Sequence, residues 1–323
     1  MTLDEYEHFD DHPSEFHGLE VWNFDGTDAV EDLPAPGDVA WYLAVDWVED
    51  DASSWTKRFQ LFLDTVGPTG VRALVIGQWG APYAHDSSEP IDAITAVAAR
   101  LPELEAVFVG DISPEEAEIS WIEQSDVTKL LTAFPQLTEL RVRGGTKLEF
   151  PPVTHERLRS LVIVAGGIPR QVVRGIGDSQ LPALERLDLW LGVSEYSGDT
   201  EPSDLEGVLA GKGLPALKHL ALCNSEIQDE VAAALATAPV VAQLDTLDIS
   251  KGTLGDDGAT ALVQGQPLTH LTKLDLDHNF LSEAMEQRLI DTLSPHGVEV
   301  MPGREDEDDF GDGELFRFTA VAE

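Results

Sequence analysis

The chain has one cysteine, Cys223, in 323 residues. A single thiol forms no internal disulfide, so the fold rests on something other than a disulfide scaffold, and a reducing cytoplasm is the expected setting. Basic residues are scarce as well. Lys and Arg number 20 against 60 Asp and Glu, a formal charge of −40. Phosphate backbones and anionic lipid headgroups would be repelled, so neither nucleic acid nor a membrane surface is the expected partner. No apolar run approaches the roughly 20 residues that a bilayer-spanning helix requires. The opening segment, MTLDEYEHFDDH, lacks the basic-then-apolar order of a secretory signal.

Apolar residues are plentiful by contrast. A hydrophobic content of 42% is ample for a core and argues against global disorder despite the charge. The length accommodates about two globular domains or one elongated array. Charge is unevenly placed: residues 1–56 hold 16 acidic side chains and no Lys or Arg, and a second acidic run, REDEDDFGDGE, spans Arg304 to Glu314. The plain reading of both is a solvated acidic surface; the sharper one is a docking surface for a basic protein.

An internal repeat organises the middle. Leu271, Leu274, Leu276, Asn279 and Leu281 fit the L-x-x-L-x-L-x-x-N-x-L pattern of a leucine-rich repeat. Leu244, Leu247, Ile249 and Leu254 repeat it, as do Leu217, Leu220, Leu222 and Ile227, with Gly252 and Ser225 in place of the Asn. Shorter matches place the second apolar position at Leu187, Leu161, Leu140, Val107 and Leu74. Degenerate strands at Ala40–Leu43–Val45 and Val298–Val300 fit the ends. Each LxL core alternates as a short strand with one buried side. Amphipathic helices are expected over 54–66, 92–100, 125–134, 202–209, 229–236, 256–263 and 282–293. Trp22, Trp41, Trp55 and Trp121 read as core or capping residues.

A unit of this length cannot bury its apolar face alone, so stacking into a curved α/β solenoid is required, with parallel strands on the concave side and helices on the convex side. The expected layout is an acidic N-terminal capping segment over 1–38, a leucine-rich-repeat solenoid of about nine or ten repeats over 39–300, and an acidic linker with a C-terminal strand over 301–323. The repeat length with full helices resembles the ribonuclease-inhibitor-like subclass. More specifically, WIEQSDVTKLL, ELRVRGG and PLTHLTKLDL resemble an uncharacterised family of bacterial leucine-rich-repeat proteins, a likeness running from FHGLEVW to FRFTAVAE. That resemblance implies no assigned activity. It implies an accessory role beside radical-SAM, ATP-grasp and phosphatase-like enzymes, whose genes neighbour the family.

Motifs for chemistry are thin. GVLAGKG, from Gly207, has the wrong glycine spacing for a phosphate loop and reads as a helix end stopped by Gly211. No G-x-S-x-G, H-E-x-x-H or C-x-x-C occurs. His8, His12 and His17 lie near Asp10 and Asp11, a spacing that is ordinarily incidental rather than metal-binding. Cys223 and His219 share a strand face, yet no oxyanion donor or third partner accompanies them. No catalytic residue, metal or cofactor is expected.

The concave face carries the functional expectation. Strand alternation assigns to it Trp47, Trp79, Phe108, Glu139, Arg141, Arg143, Arg186, Asp188, Trp190, His219, Asn224, Asp248, Lys273 and Asp275. Trp and Arg are the residue types most enriched at binding hot spots. For Trp47 and Trp79, plain packing is an equal reading. The expected function is a non-catalytic module that holds a protein or peptide on this face. One alternative is an inhibitor or regulator of a basic enzyme; another is an anion or small-molecule binder using Arg141, Arg143 and Trp190. The tail, Leu315 to Ala322, alternates like a strand and needs an edge, either Val298–Val300 nearby or Leu19–Phe24 across the mouth of the arc.

Overall fold

The computed structural model describes residues 12–27, 29–45, 55–309 and 315–322. In chain order the elements begin with strands β1 (Glu15–Phe16), β2 (Leu19–Asn23) and β3 (Ala40–Val45), then helix α1 (Trp55–Thr65). There follow β4 (Ala73–Trp79), α2 (Ser88–Ala96), β5 (Ala106–Val109), α3 (Thr128–Ala133), β6 (Glu139–Arg143) and β7 (Ser160–Val164). The second half holds α4 (Arg170–Asp178), β8 (Arg186–Gly192), α5 (Glu206–Ala210), β9 (His219–Ser225), α6 (Gln228–Leu235) and β10 (Thr246–Asp248). It closes with α7 (Asp256–Gln264), β11 (Lys273–Asn279), α8 (Glu283–Leu293), β12 (Glu299–Arg304), β13 (Asp308–Asp309) and β14 (Leu315–Phe316).

Strands β1 to β12 form one open sheet in sequence order, and every pair from β2 to β12 is parallel. The apolar residues of the repeat stand directly opposite one another. Leu74, Val107, Leu140, Leu161, Leu187, Leu220, Leu247 and Leu274 form one continuous in-register row. All are fully buried against the helices in a single extended core. Burying each such side chain contributes about 1.5–3 kcal/mol, so the row is the spine of the molecule. The chain is a leucine-rich-repeat solenoid.

Several details depart from the sequence expectations. Helix α2 starts earlier than expected and ends at a separate 3-10 turn, Ala98–Arg100. Helix α3 is shortened because residues before it pair instead with the next segment, through bridges Glu123–Thr146 and Asp126–Glu149. Trp121 is 56% exposed, so it is neither core nor cap. Trp47 lies outside the described residues.

The short spacing between Leu140 and Leu161 leaves no room for a helix, and residues 146–154 run extended across the convex side. Helix α4, which the sequence reading passes over, lies against this segment. Gly175 and Gly177 mask its apolar stripe of Val172, Val173 and Ile176 by lowering helix propensity. Their role is contact: a Cβ on Gly175 would collide with the Phe150 carbonyl oxygen, and one on Gly177 with Gly207. Helix propensity alone favours Gly175→Ala by about 1 kcal/mol. The collision opposes it by about 1–3 kcal/mol. The variant is therefore expected to melt at lower temperature than the unaltered chain; a higher midpoint would show that the two segments are not in close contact.

The tail pairs with neither expected edge. Its first residues join a two-residue hairpin, Asp308 opposite Phe316. The remainder crosses the C-terminal ends of the strands.

Candidate functional site

The concave face divides into a covered part and an open part. Its first half lies under the β1–β2 hairpin. The turn between these strands is His17–Gly18, with φ of 56° and 70°, the left-handed pair that a type I′ hairpin requires. This turn throws the fully buried ring of Phe16 onto Ala40, Ala73, Ala106 and Phe108. The three alanines occupy one register row, and their small size leaves space for the ring. Arg141 places its guanidinium 5.5 Å from the Phe16 ring centre and 5.3 Å from that of Phe108, within cation–π range.

Histidines fasten the cover. His12 Nδ1 lies 3.0 Å from Asp111 Oδ2, and His17 Nδ1 lies 2.9 Å from Glu139 Oε2. Both meet carboxylates, and among the described residues no cluster of His, Cys, Asp or Glu is arranged for a metal ion. His8, Asp10 and Asp11 fall outside those residues. Arg143 is buried and donates from Nη1 to the Ile112 carbonyl at 2.8 Å, holding the loop after β5. Trp79 belongs to the main core, not the concave surface; its indole N–H donates to the His85 carbonyl at 2.8 Å. A register irregularity between Leu43 and Val45 of β3, where Val45 pairs with Trp79, breaks the alternation that had assigned it outward.

The upper edge of the second half is covered too. Trp190 is buried with Ile119, Val162, Val164, Ala221 and Cys223, with Val321 of the tail packed against them. Lys251 Nζ sits 5.8 Å from the Trp190 ring centre. Asn224 is fully buried and grips the tail backbone: Nδ2 donates to the Val321 carbonyl at 2.6 Å, and Oδ1 accepts the Val321 N–H at 2.9 Å.

Among the described residues, what stays open is a polar floor. Next to Glu139, which the hairpin covers, Ser160, Arg186, His219, Thr246 and Lys273 stand in register across β7 to β11, each half-buried. Behind this row lie the buried carboxylates Asp188, Asp248 and Asp275. Burial opposes the charge on Asp188, but Arg186 and His219 outweigh it and hold the carboxyl well below the usual range. Lys273 Nζ is 3.1 Å from Asp275 Oδ2. Asp248 has no cation at ion-pair distance among the described residues; burial and the neighbouring Asp275 and Asp188 push its carboxyl up. Burial and Asp248 likewise raise the Cys223 thiol, whose Sγ donates to Asp248 Oδ1 at 3.1 Å. A buried thiol held protonated is a poor nucleophile.

A second concavity, about 800 Å³, opens on the convex side where the layer lacks a helix; its lining includes Gln124, Lys147, Phe150, Pro151 and Arg174. Sequence reasoning missed Ser160, Thr246 and Phe16. The three alanines were the signal available for Phe16.

No protein-family model and no curated protein matches the chain. Among solved structures it is similar to a crystal structure of a protein from Bacteroides fragilis, with 29% identity over 86% of this chain and 77% of the other and a TM-score of 0.71. It is also aligned with an internalin from Listeria monocytogenes, at 17% identity over 73% of this chain and 55% of the other. The TM-score there is 0.36, too low to carry any argument. No helix among the described residues is long and apolar enough to cross a membrane.

The hydrogen bond that His12 donates to Asp111 is the main cause holding His12 above its ordinary value; burial and Arg143 oppose it, while the charges of Asp111 and Glu116 assist. A raised folded value means the contact contributes fully below the unfolded value of about 6.5 and is lost as pH rises through the folded one. Hairpin protection against amide exchange, corrected for intrinsic rates, is expected to fall over that window. His12→Gln should reduce the pH dependence, while the His17–Glu139 contact stays in place. A pH-independent hairpin in the unaltered chain would contradict this role for His12.

Proposed function

We propose that the chain is a non-catalytic interaction module that holds a protein or peptide on the open half of its concave face. The observation that supports this reading is the in-register polar row from Ser160 to Lys273, set above the carboxylates Asp188, Asp248 and Asp275. A curved, polar floor suits a macromolecular partner. Arg141 and Arg143 engage the chain's own rings and carbonyls, which favours this reading over an anion site. A charge of −40 steers basic partners, so a regulator of a basic enzyme is the natural variant. Radical-SAM, ATP-grasp and phosphatase-like enzymes of the family's gene neighbourhood, met in the cytoplasm, are the partners to try first. The repeats are taken to follow the ribonuclease-inhibitor-like pattern.

Reversing Arg186 or removing His219 would strip the buried Asp188 of its partners, so blocking is a better test than deletion. Ser160→Arg with Thr246→Arg adds bulk to the floor and breaks no ion pair. Substitutions of this kind usually shift stability by no more than about 0.5 kcal/mol. Affinity for whichever of the three enzymes binds the unaltered chain is expected to drop at least tenfold. Unchanged affinity would place the partner elsewhere.

A further inference from the structure

Residues 316–322 lie along the C-terminal ends of β11 to β7, in the order opposite to the chain. Three residues at those ends repeat at a spacing of 27: Asn224, Lys251 and His278, with φ of 52°, 63° and 54°. Left-handed backbone is disfavoured for residues with a Cβ, and its recurrence on three successive repeats marks a built feature. Each of the three meets the tail's main chain. His278 Nε2 donates to the Phe318 carbonyl at 3.0 Å, the Lys251 carbonyl accepts the Ala320 N–H at 2.8 Å, and Asn224 brackets Val321. Ser120 Oγ then donates to the Ala322 carbonyl at 2.5 Å. Backbone contacts of this kind accept many sequences.

Side-chain pockets add selectivity. Arg317 reaches Glu307 Oε1 at 3.0 Å, Asp229 Oδ2 at 3.3 Å and the Thr253 carbonyl at 3.4 Å. Phe318 sets its ring edge-on to His278 and Phe280, with centroids 5.3 Å apart in both cases. Val321 enters the apolar pocket floored by Trp190. Yet the fit is partial, since Phe316 is 40% and Phe318 38% exposed.

We propose that this groove is a peptide-recognition site for an extended segment of a partner protein carrying Arg, an aromatic residue next, and an aliphatic residue three positions further on. The chain's tail, with Arg317, Phe318 and Val321, is its resident competitor. Main-chain hydrogen bonds supply affinity and alternate pockets supply specificity, as in other modes of extended-peptide capture. Tethering gives the tail an effective concentration near the millimolar range, so an external segment displaces it only by binding better. The site is separate from the polar floor and stands whether or not the floor binds anything.

The test uses the full-length chain with its tail loosened by Arg317→Ser, Phe318→Ser and Val321→Ser. Phe318→Ser alone is a milder second variant, in case the triple change impairs folding. The probe is a fluorescent peptide, Leu-Phe-Arg-Phe-Thr-Ala-Val-Ala-Glu, followed by anisotropy. The loosened chains should bind it at least tenfold more tightly than the unaltered chain. A peptide that keeps only the Arg, Phe and Val among serines should bind within about threefold of the full one. Adding Asp229→Asn to a loosened chain should weaken the Arg peptide and leave an Arg→Gln peptide unaffected. Equal binding by loosened and unaltered chains, or binding indifferent to those three positions, would overturn the proposal. So would a concentration-dependent dimer of the unaltered chain, which would make a second copy the occupant.

Discussion

A strand whose apolar residues are fixed on one face has no freedom about the other. Here the row from Leu74 to Leu274 is locked against the helices, strand after strand in the same register. A slip of one residue in any strand would expose that strand's leucines and bury its polar neighbours. Replacing a single core leucine with alanine typically costs about 2–5 kcal/mol, so register errors are strongly excluded. The concave side chains are thereby arranged in rows: alanines and then polar residues in one, aromatic, aliphatic and then acidic residues in the next. The make-up of the concave face descends from that alignment.

The chain treats the two ends of its concave face differently. Where the row is Ala40, Ala73 and Ala106, the hairpin seats Phe16 and closes the surface. Where it becomes Ser160, Arg186, His219 and Thr246, no described residue plays the part of Phe16, and among the described residues the floor stays open. The scarce cations follow the same division. Arg141 lies over the rings beneath the cover, Arg186 and Lys273 neutralise carboxylates of the floor, and Arg317 ties down the tail. In a chain of charge −40, such placement limits repulsion within the row Asp188, Asp248 and Asp275.

The repeat made the strands, their order and the buried row legible in the sequence, because LxxLxL alternation carries its own register. Convex details were less legible. Gly175 and Gly177 hid α4, since their value lies in close packing that no propensity scale registers. Trp79 was misplaced outward by an alternation that a strand irregularity breaks. The concave residues were mostly found, but not their covers, because alternation says which way a side chain points and not what lies over it. Asn224 is the clearest case: it reads as a residue that faces outward, and in the structure its side chain is taken up by the main chain of Val321.

The division of the concave face is open to direct measurement by thiol labelling, with the buried Cys223 as a built-in silent background. Single changes Ser160→Cys and Thr246→Cys place a thiol on the floor, whereas Ala73→Cys and Val164→Cys place one beneath the hairpin and beneath the tail. A small maleimide is expected to modify the first two far faster than the second two, under native conditions. Comparable rates at all four positions would contradict this division.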